Sequence, residues 1–170
     1  MNFLMLFLFV FLTSFSFLSL IFSLNFSLAS ESGYQLQLRW GTEGTENGQF
    51  MVPHSMVFDS EDNIYVTDTN NHRIQKFTSD GEFITKWGTE GNGDGEFGLP
   101  LGIGVNSKGD IFIIDQVTSS IHQFSNEGEF LNKIIFNFDK LEDIEIDSND
   151  DIYVTDRNKN EILKFSKIIN

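Results

Sequence analysis

Shifted by 47 residues, the sequence falls on itself: WGTEG at 40–44 meets WGTEG at 87–91. The register then holds. Gly48, Phe50 and Pro53 meet Gly95, Phe97 and Pro100; Ile64, Asp68, Ile74 and Phe77 meet Ile111, Asp115, Ile121 and Phe124; Gly81-Glu82-Phe83 meets Gly128-Glu129-Phe130. A third copy follows at an offset of 41, where Ile144, Ile146, Ile152, Asp156, Ile162 and Phe165 meet Ile103, Val105, Ile111, Asp115, Ile121 and Phe124. That copy lacks the Trp-Gly, the glycine-rich loop and the Phe-x-x-Pro that open the other two. A period of 41 to 47 residues implies a repeat architecture in which each unit buries its apolar surface against the next.

Local pattern decides what the unit is. The first copy contains four short runs rich in β-branched and aromatic residues, MVF at 56–58, NIYVTD at 63–68, RIQKF at 73–77 and EFITKW at 82–87. Between them stand SED, TNN and TSDG, whose Asn, Asp and Gly residues suit tight turns. No window carries a helical apolar stripe of useful length. Four antiparallel strands in about 40 to 50 residues make one propeller blade. Ile111-Phe112-Ile113-Ile114 is apolar on consecutive residues, as a strand covered on both faces should be. The expectation is an all-β chain of three four-stranded β-propeller blades, over about 46–87, 93–134 and 140–168.

The motif resembles the NHL repeat. Asp62 to Phe77, DNIYVTDTNNHRIQKF, followed by Gly81 to Pro100, stands in that family's pattern, with Asp62-Asn63 where Gly-Asn is usual. The later copies keep the strands and vary the turn, as DQVTSSIHQF and DRNKNEILKF. The resemblance covers residues 34–168 and implies a six-bladed propeller that serves as a protein- or ligand-binding platform or, in some branches, as a lyase or hydrolase. The dipeptide of WD repeats and the double glycine of kelch repeats are both absent.

Three repeats do not close a ring, because propellers need four to eight blades. YQLQLRWG at 34–41 is expected to be a lone outer strand able to complete the third unit. The chain is then half a ring that pairs with a second copy or a related subunit, an open three-blade stack, or a truncated reading frame. Pairing is the expectation, because an open arc exposes two apolar blade faces.

Composition bounds the partners. The chain has 25 acidic and 11 basic residues, a formal charge of −14, and no cysteine. All of that charge follows residue 30, and a surface so acidic repels nucleic-acid backbones. Residues 3–26 hold no ionisable side chain and are followed by Ser27-Leu28-Ala29, with small residues at positions −3 and −1 of a signal-peptidase site. Residues 1–29 are therefore a signal peptide or an uncleaved membrane anchor, and residues 30–170 lie outside the cytoplasm, secreted or held at the cell surface.

Candidate site residues are few. The three histidines, His54, His72 and His122, occupy no common repeat position, so they do not converge as a propeller zinc site requires. Asp68, Asp115 and Asp156 recur at the end of the second strand, where a carboxylate locks the following turn or, with its equivalents, lines one rim. His72 and Arg73 become Ser-Ser and Asn-Glu in the later copies, which marks them as turn residues rather than a catalytic pair; replacing both with Ser is expected to leave folding nearly intact. DSEDN at 59–63 and DSNDD at 147–151 lack the spacing of a calcium loop and read as turns. No nucleophile–base pair is singled out. The expectation is a non-catalytic binding scaffold for a protein or small ligand, with Asp68, His72, Arg73, Asp115 and Asp156 as weak rim candidates. No cofactor is expected, calcium and zinc remaining open, and a propeller lyase or lactonase is the alternative.

Overall fold

A computed structural model of the chain describes residues 33–167. The leader or anchor expected over 1–29, with its apolar run 3–26, lies outside the described residues. The chain divides into two units, Met1–Arg39 and Trp40–Asn170. Residues 33–39 of the first are exposed and form no regular element.

The second unit is all-β. Its first sheet runs β1 (Pro53–Phe58), β2 (Ile64–Asp68), β3 (Arg73–Phe77), β4 (Phe83–Trp87). The second runs β5 (Pro100–Val105), β6 (Ile111–Asp115), β7 (Ser120–Phe124), β8 (Phe130–Ile135). The third has three strands, β9 (Leu141–Ile146), β10 (Ile152–Asp156) and β11 (Glu161–Phe165). All pairing within the sheets is antiparallel between sequence neighbours, with a bulge in the first strand of each that shifts the register near Pro53, Pro100 and Leu141. The first two sheets are the four-stranded blades that the repeat predicts, whereas the third has three strands where four are expected.

One expectation needs correcting. Among the described residues no ladder includes 34–41, so the third sheet stays three-stranded. The tryptophan that ends this segment has a different attachment: the Trp40 ring packs on Phe77 of the first sheet, 6.3 Å between centroids.

The core lies between blades. Ile74, Tyr65, Phe97, Ile111, Ile113 and Phe124 form one buried cluster where the first sheet meets the second. Phe112, Ile114, Ile121, Leu141, Ile144 and Val154 form another where the second meets the third. β6 is buried along its whole length, as its unbroken apolar run predicts.

The recurrent Trp-Gly also has a packing reason. Gly88 holds φ +98°, and a Cβ there would sit 2.6 Å from the Phe97 ring and 2.9 Å from the His72 carbonyl. Only glycine tolerates both the backbone angle and the approach. Phe97, which the repeat places nine residues on, is thereby driven into the core with no exposure.

Candidate functional site

The three recurring aspartates are buried, with Asp68 and Asp115 at 0% exposure and Asp156 at 1%. Each reaches back to the loop that leads into its blade. Asp68 accepts the Met51 amide at 2.7 Å; Asp115 accepts Gly98 at 3.0 Å and Leu99 at 2.8 Å; Asp156 accepts Asp139 at 2.8 Å and Lys140 at 3.0 Å. The lock thus runs mainly to the incoming chain, with the following turn adding Val117 N–H at 3.1 Å and Lys159 N–H at 3.4 Å. Burial raises the Asp156 pKa, but the amides of Asp139, Lys140 and Lys159 outweigh it and hold the carboxyl below its ordinary range. The structure spends these acids inside their own blades and does not gather them at one exposed rim.

Arg73 is buried too. Its Nε donates to Asp68 at 2.7 Å, Nη1 to the Thr45 carbonyl at 2.6 Å, and Nη2 to the carbonyls of Glu46 at 2.8 Å and Gln49 at 2.9 Å. Gln75 adds a bond to the Gln49 carbonyl at 2.7 Å and accepts from Gly48 N–H at 2.9 Å. One guanidinium therefore organises the whole 45–49 loop. This reverses the expectation that Arg73 is a replaceable turn residue, because comparison of copies shows that the side chain varies but not what it holds.

His72 fits the sequence reading. It stands in the left-handed region at φ 54°, as do its counterparts Ser119 at 49° and Asn160 at 56°. The backbone conformation is kept while the side chain varies. Its Nδ1 donates to the Gly98 carbonyl at 3.0 Å, which ties the first blade to the loop of the second. His72, Asn70, Asn71, Lys86, Trp87 and Glu90 line a wide shallow depression of about 690 Å³ on this rim. It is the surface at which the sequence candidates and an accessible concavity coincide.

The acidic loops are turns. Asp59 accepts the amides of Glu61 and Asn63, both at 2.9 Å, and the Tyr65 hydroxyl at 2.9 Å. Burial raises its pKa, and the bonds from Asn63, Tyr65 and Glu61 lower it further than burial lifts it. Asp147 repeats the pattern with Asn149 at 2.8 Å and Asp151 at 3.1 Å. Among the described residues no group of three or more His, Asp or Glu side chains is placed to hold a metal ion.

Sequence comparison missed His122. It is fully buried between the rings of Phe97, Phe124 and Phe130, with Nε2 on the Ser120 hydroxyl at 3.1 Å and Nδ1 unpartnered among the described residues. Its counterparts Gln75 and Leu163 gave no signal. Because Ser120 and His122 are both sealed from solvent at 0% exposure, this pair cannot meet a substrate. Burial, helped by nearby Lys133 and opposed by Asp115 and Asp94, pushes the imidazole pKa down to about 4. A depressed histidine pKa means the unfolded chain takes the proton first, so stability is full above about pH 6.5 and falls as pH drops toward 4. His122→Gln, the residue of the first blade, is expected to remove on the order of 2 kcal/mol of that pH dependence. Urea titrations at pH 7.5 and 4.5 measure it.

A family described as a 6-bladed beta-propeller matches residues 45–142. The chain belongs to this family. A 45-residue stretch is 42% identical to Protein brain tumor of Drosophila melanogaster, covering 26% of this chain and 4% of that protein. Among solved structures, a virginiamycin B lyase from Staphylococcus aureus is similar with TM-score 0.53 at 16% identity over 69% of this chain and 42% of that one. The WD40 beta propeller domain of Doa1 is similar with TM-score 0.54 at 16% identity, over 69% of this chain and 37% of that one. The chain therefore spans less than half of the propellers it matches. At these identities the likeness is one of fold, and it supports a propeller scaffold.

Proposed function

We propose that the chain is an NHL-type propeller module, exported by its N-terminal segment, that binds a protein or small ligand through its rim without catalysing a reaction. The observation that carries this reading is how the chemistry-bearing residues are used. Asp68, Asp115, Asp156 and Arg73 are all buried in internal bonds, while the accessible depression beside His72 carries Lys86 and Glu90 among its amide and aromatic groups, with no hydrogen bond or ion pair coupling an acid to a base there among the described residues. A surface of that make-up recognises; it does not move protons. The purified protein is expected to hold no stoichiometric zinc or calcium. Metal found at one equivalent, and lost on chelation together with a lyase or lactonase activity, overturns the reading in favour of the enzyme.

Assembly belongs to the same proposal. Met56 at the open face of the first blade is 61% exposed, whereas its counterpart Ile103 is 4%; Ile162 of the third blade is 74% exposed, whereas Ile121 is 0%. Phe58 joins Met56 at 53% exposure. These are core positions lacking the neighbouring blade that covers their equivalents. Two copies related by a twofold axis supply both neighbours at once, and three sheets plus three give the six blades of the family. Light scattering is expected to return a dimer, and a well-folded monomer refutes the pairing.

A further inference from the structure

Between the first and second blades the packing contains an indole and an ammonium group. The Trp87 ring lies 6.1 Å from Tyr65 and 5.9 Å from Phe124, and it presses on Gly128, where a Cβ would come within 2.7 Å. Beside it the Lys76 ammonium stands 5.1 Å over the Tyr65 ring and donates to the Asn126 carbonyl at 3.3 Å. Together they fill the wedge that two twisted sheets leave open at this rim.

The next wedge is built from the same positions, and the described residues do not fill it. Phe112 stands for Tyr65, Phe165 for Phe124, Ile134 for Trp87 and Gln123 for Lys76. A bicyclic ring has become a four-carbon side chain. The ammonium has become an amide that turns away to Asp110 at 2.9 Å. What remains is a cavity of about 470 Å³ floored by Phe112, Ile134, Ile152 and Phe165. Its volume falls within the range of small-molecule sites, which is roughly 300 to 1,000 Å³.

The rim carries the charge that matches the missing group. Asp110, Asp150 and Lys167 all line the mouth, and Lys167 and Lys108 both act on Asp150, which leaves Asp110 as the carboxylate with no ion pair among the described residues. Asp110 accepts from Asn106 at 3.1 Å as well as from Gln123, and a carboxylate with four lone-pair directions keeps room for a further donor. Asp150 is steadied by the Ser107 amide at 2.8 Å and hydroxyl at 2.9 Å.

We infer that this wedge is a binding site for a small arylalkyl amine, a flat aromatic ring carrying an ammonium group. The ring takes the place that Trp87 fills one blade earlier, between Phe112 and Phe165. The ammonium takes the place of Lys76, with Asp110 as its counter-charge. Aromatic acids of the same size are excluded by the carboxylates at the mouth.

Tryptamine is the probe, titrated into the purified full chain by calorimetry. Saturable one-site binding is expected with a dissociation constant of about 0.1 to 1 mM, and indole-3-acetate is expected to bind at least tenfold more weakly. Ile134→Trp refills the wedge and is expected to weaken tryptamine at least tenfold while raising the melting temperature. Asp110→Asn is expected to weaken tryptamine several-fold and leave uncharged indole unchanged, which keeps the test decisive should Ile134→Trp fail to fold. Absence of saturable binding, equal binding of tryptamine and indole-3-acetate, or full binding by a folded Ile134→Trp variant overturns the proposal.

Discussion

Replacing Arg73 with Ser, the residue of the second blade, is expected to destabilise the protein by about 3 to 5 kcal/mol. The substitution leaves the Asp68 carboxylate buried at 0% exposure without its cation. It also strips donors from the carbonyls of Thr45, Glu46 and Gln49 at once. The second blade tolerates Ser120 because its acid is satisfied differently. Asp115 accepts three backbone amides, from Gly98, Leu99 and Val117, whereas Asp68 accepts one, from Met51, and depends for the rest on Asn71, Arg73 and Gln75. In the second blade Lys133 donates to the Asn92 carbonyl at 3.3 Å, the position matching Thr45. Arg73→Lys is expected to recover only part of the loss, because an ammonium lacks the fork that reaches four oxygens. Urea unfolding followed by circular dichroism and tryptophan fluorescence measures both variants. A loss below about 1 kcal/mol for Arg73→Ser means that water replaces the guanidinium without penalty.

The same residue shows where sequence reading stops. Repetition made the blades, the strand order and nearly every strand boundary legible, since core positions recur whenever the neighbouring blade recurs. It also separated backbone from side chain at His72, whose left-handed turn persists through Ser119 and Asn160. Recurrence is silent, however, on a solution found once. Arg73 and His122 each fill a position that the other blades fill differently, so averaging over copies discards them.

Burial is equally hard to read locally. IYVTD occurs twice, at 64–68 and 152–156, and all five residues are buried in β2, whereas Tyr153 and Thr155 of β10 are half-exposed. The pentapeptide is one; the difference is the presence of a following blade over β2. The wedge that the described residues leave open beside Phe112 has the same origin, since a cavity is a relation between Ile134 and a neighbouring sheet and leaves no mark on either segment alone.

Trp87→Ala is expected to cost about 3 to 5 kcal/mol, the range for removing a large aromatic from a packed site. Its ring bridges Tyr65 of one blade and Phe124 of the next, so the loss falls on the contact between blades and not on either sheet. Two further results distinguish that origin from simple loss of bulk. Trp87→Phe is expected to cost less than about 1.5 kcal/mol, because it keeps a ring against Tyr65 and Phe124 and deletes an indole N–H that is buried with no acceptor among the described residues. Adding Phe124→Ala to Trp87→Ala is expected to cost less than the sum of the two single changes by at least about 0.5 kcal/mol, since the ring pair is already gone. In a repeat array whose stability is held largely by neighbour contacts, weakening one contact lets the blades on either side unfold at different urea concentrations. The Trp87→Ala transition is therefore expected to broaden, with circular dichroism and Trp40 fluorescence no longer coinciding; a sharp, coincident transition places the coupling between blades elsewhere than in this ring.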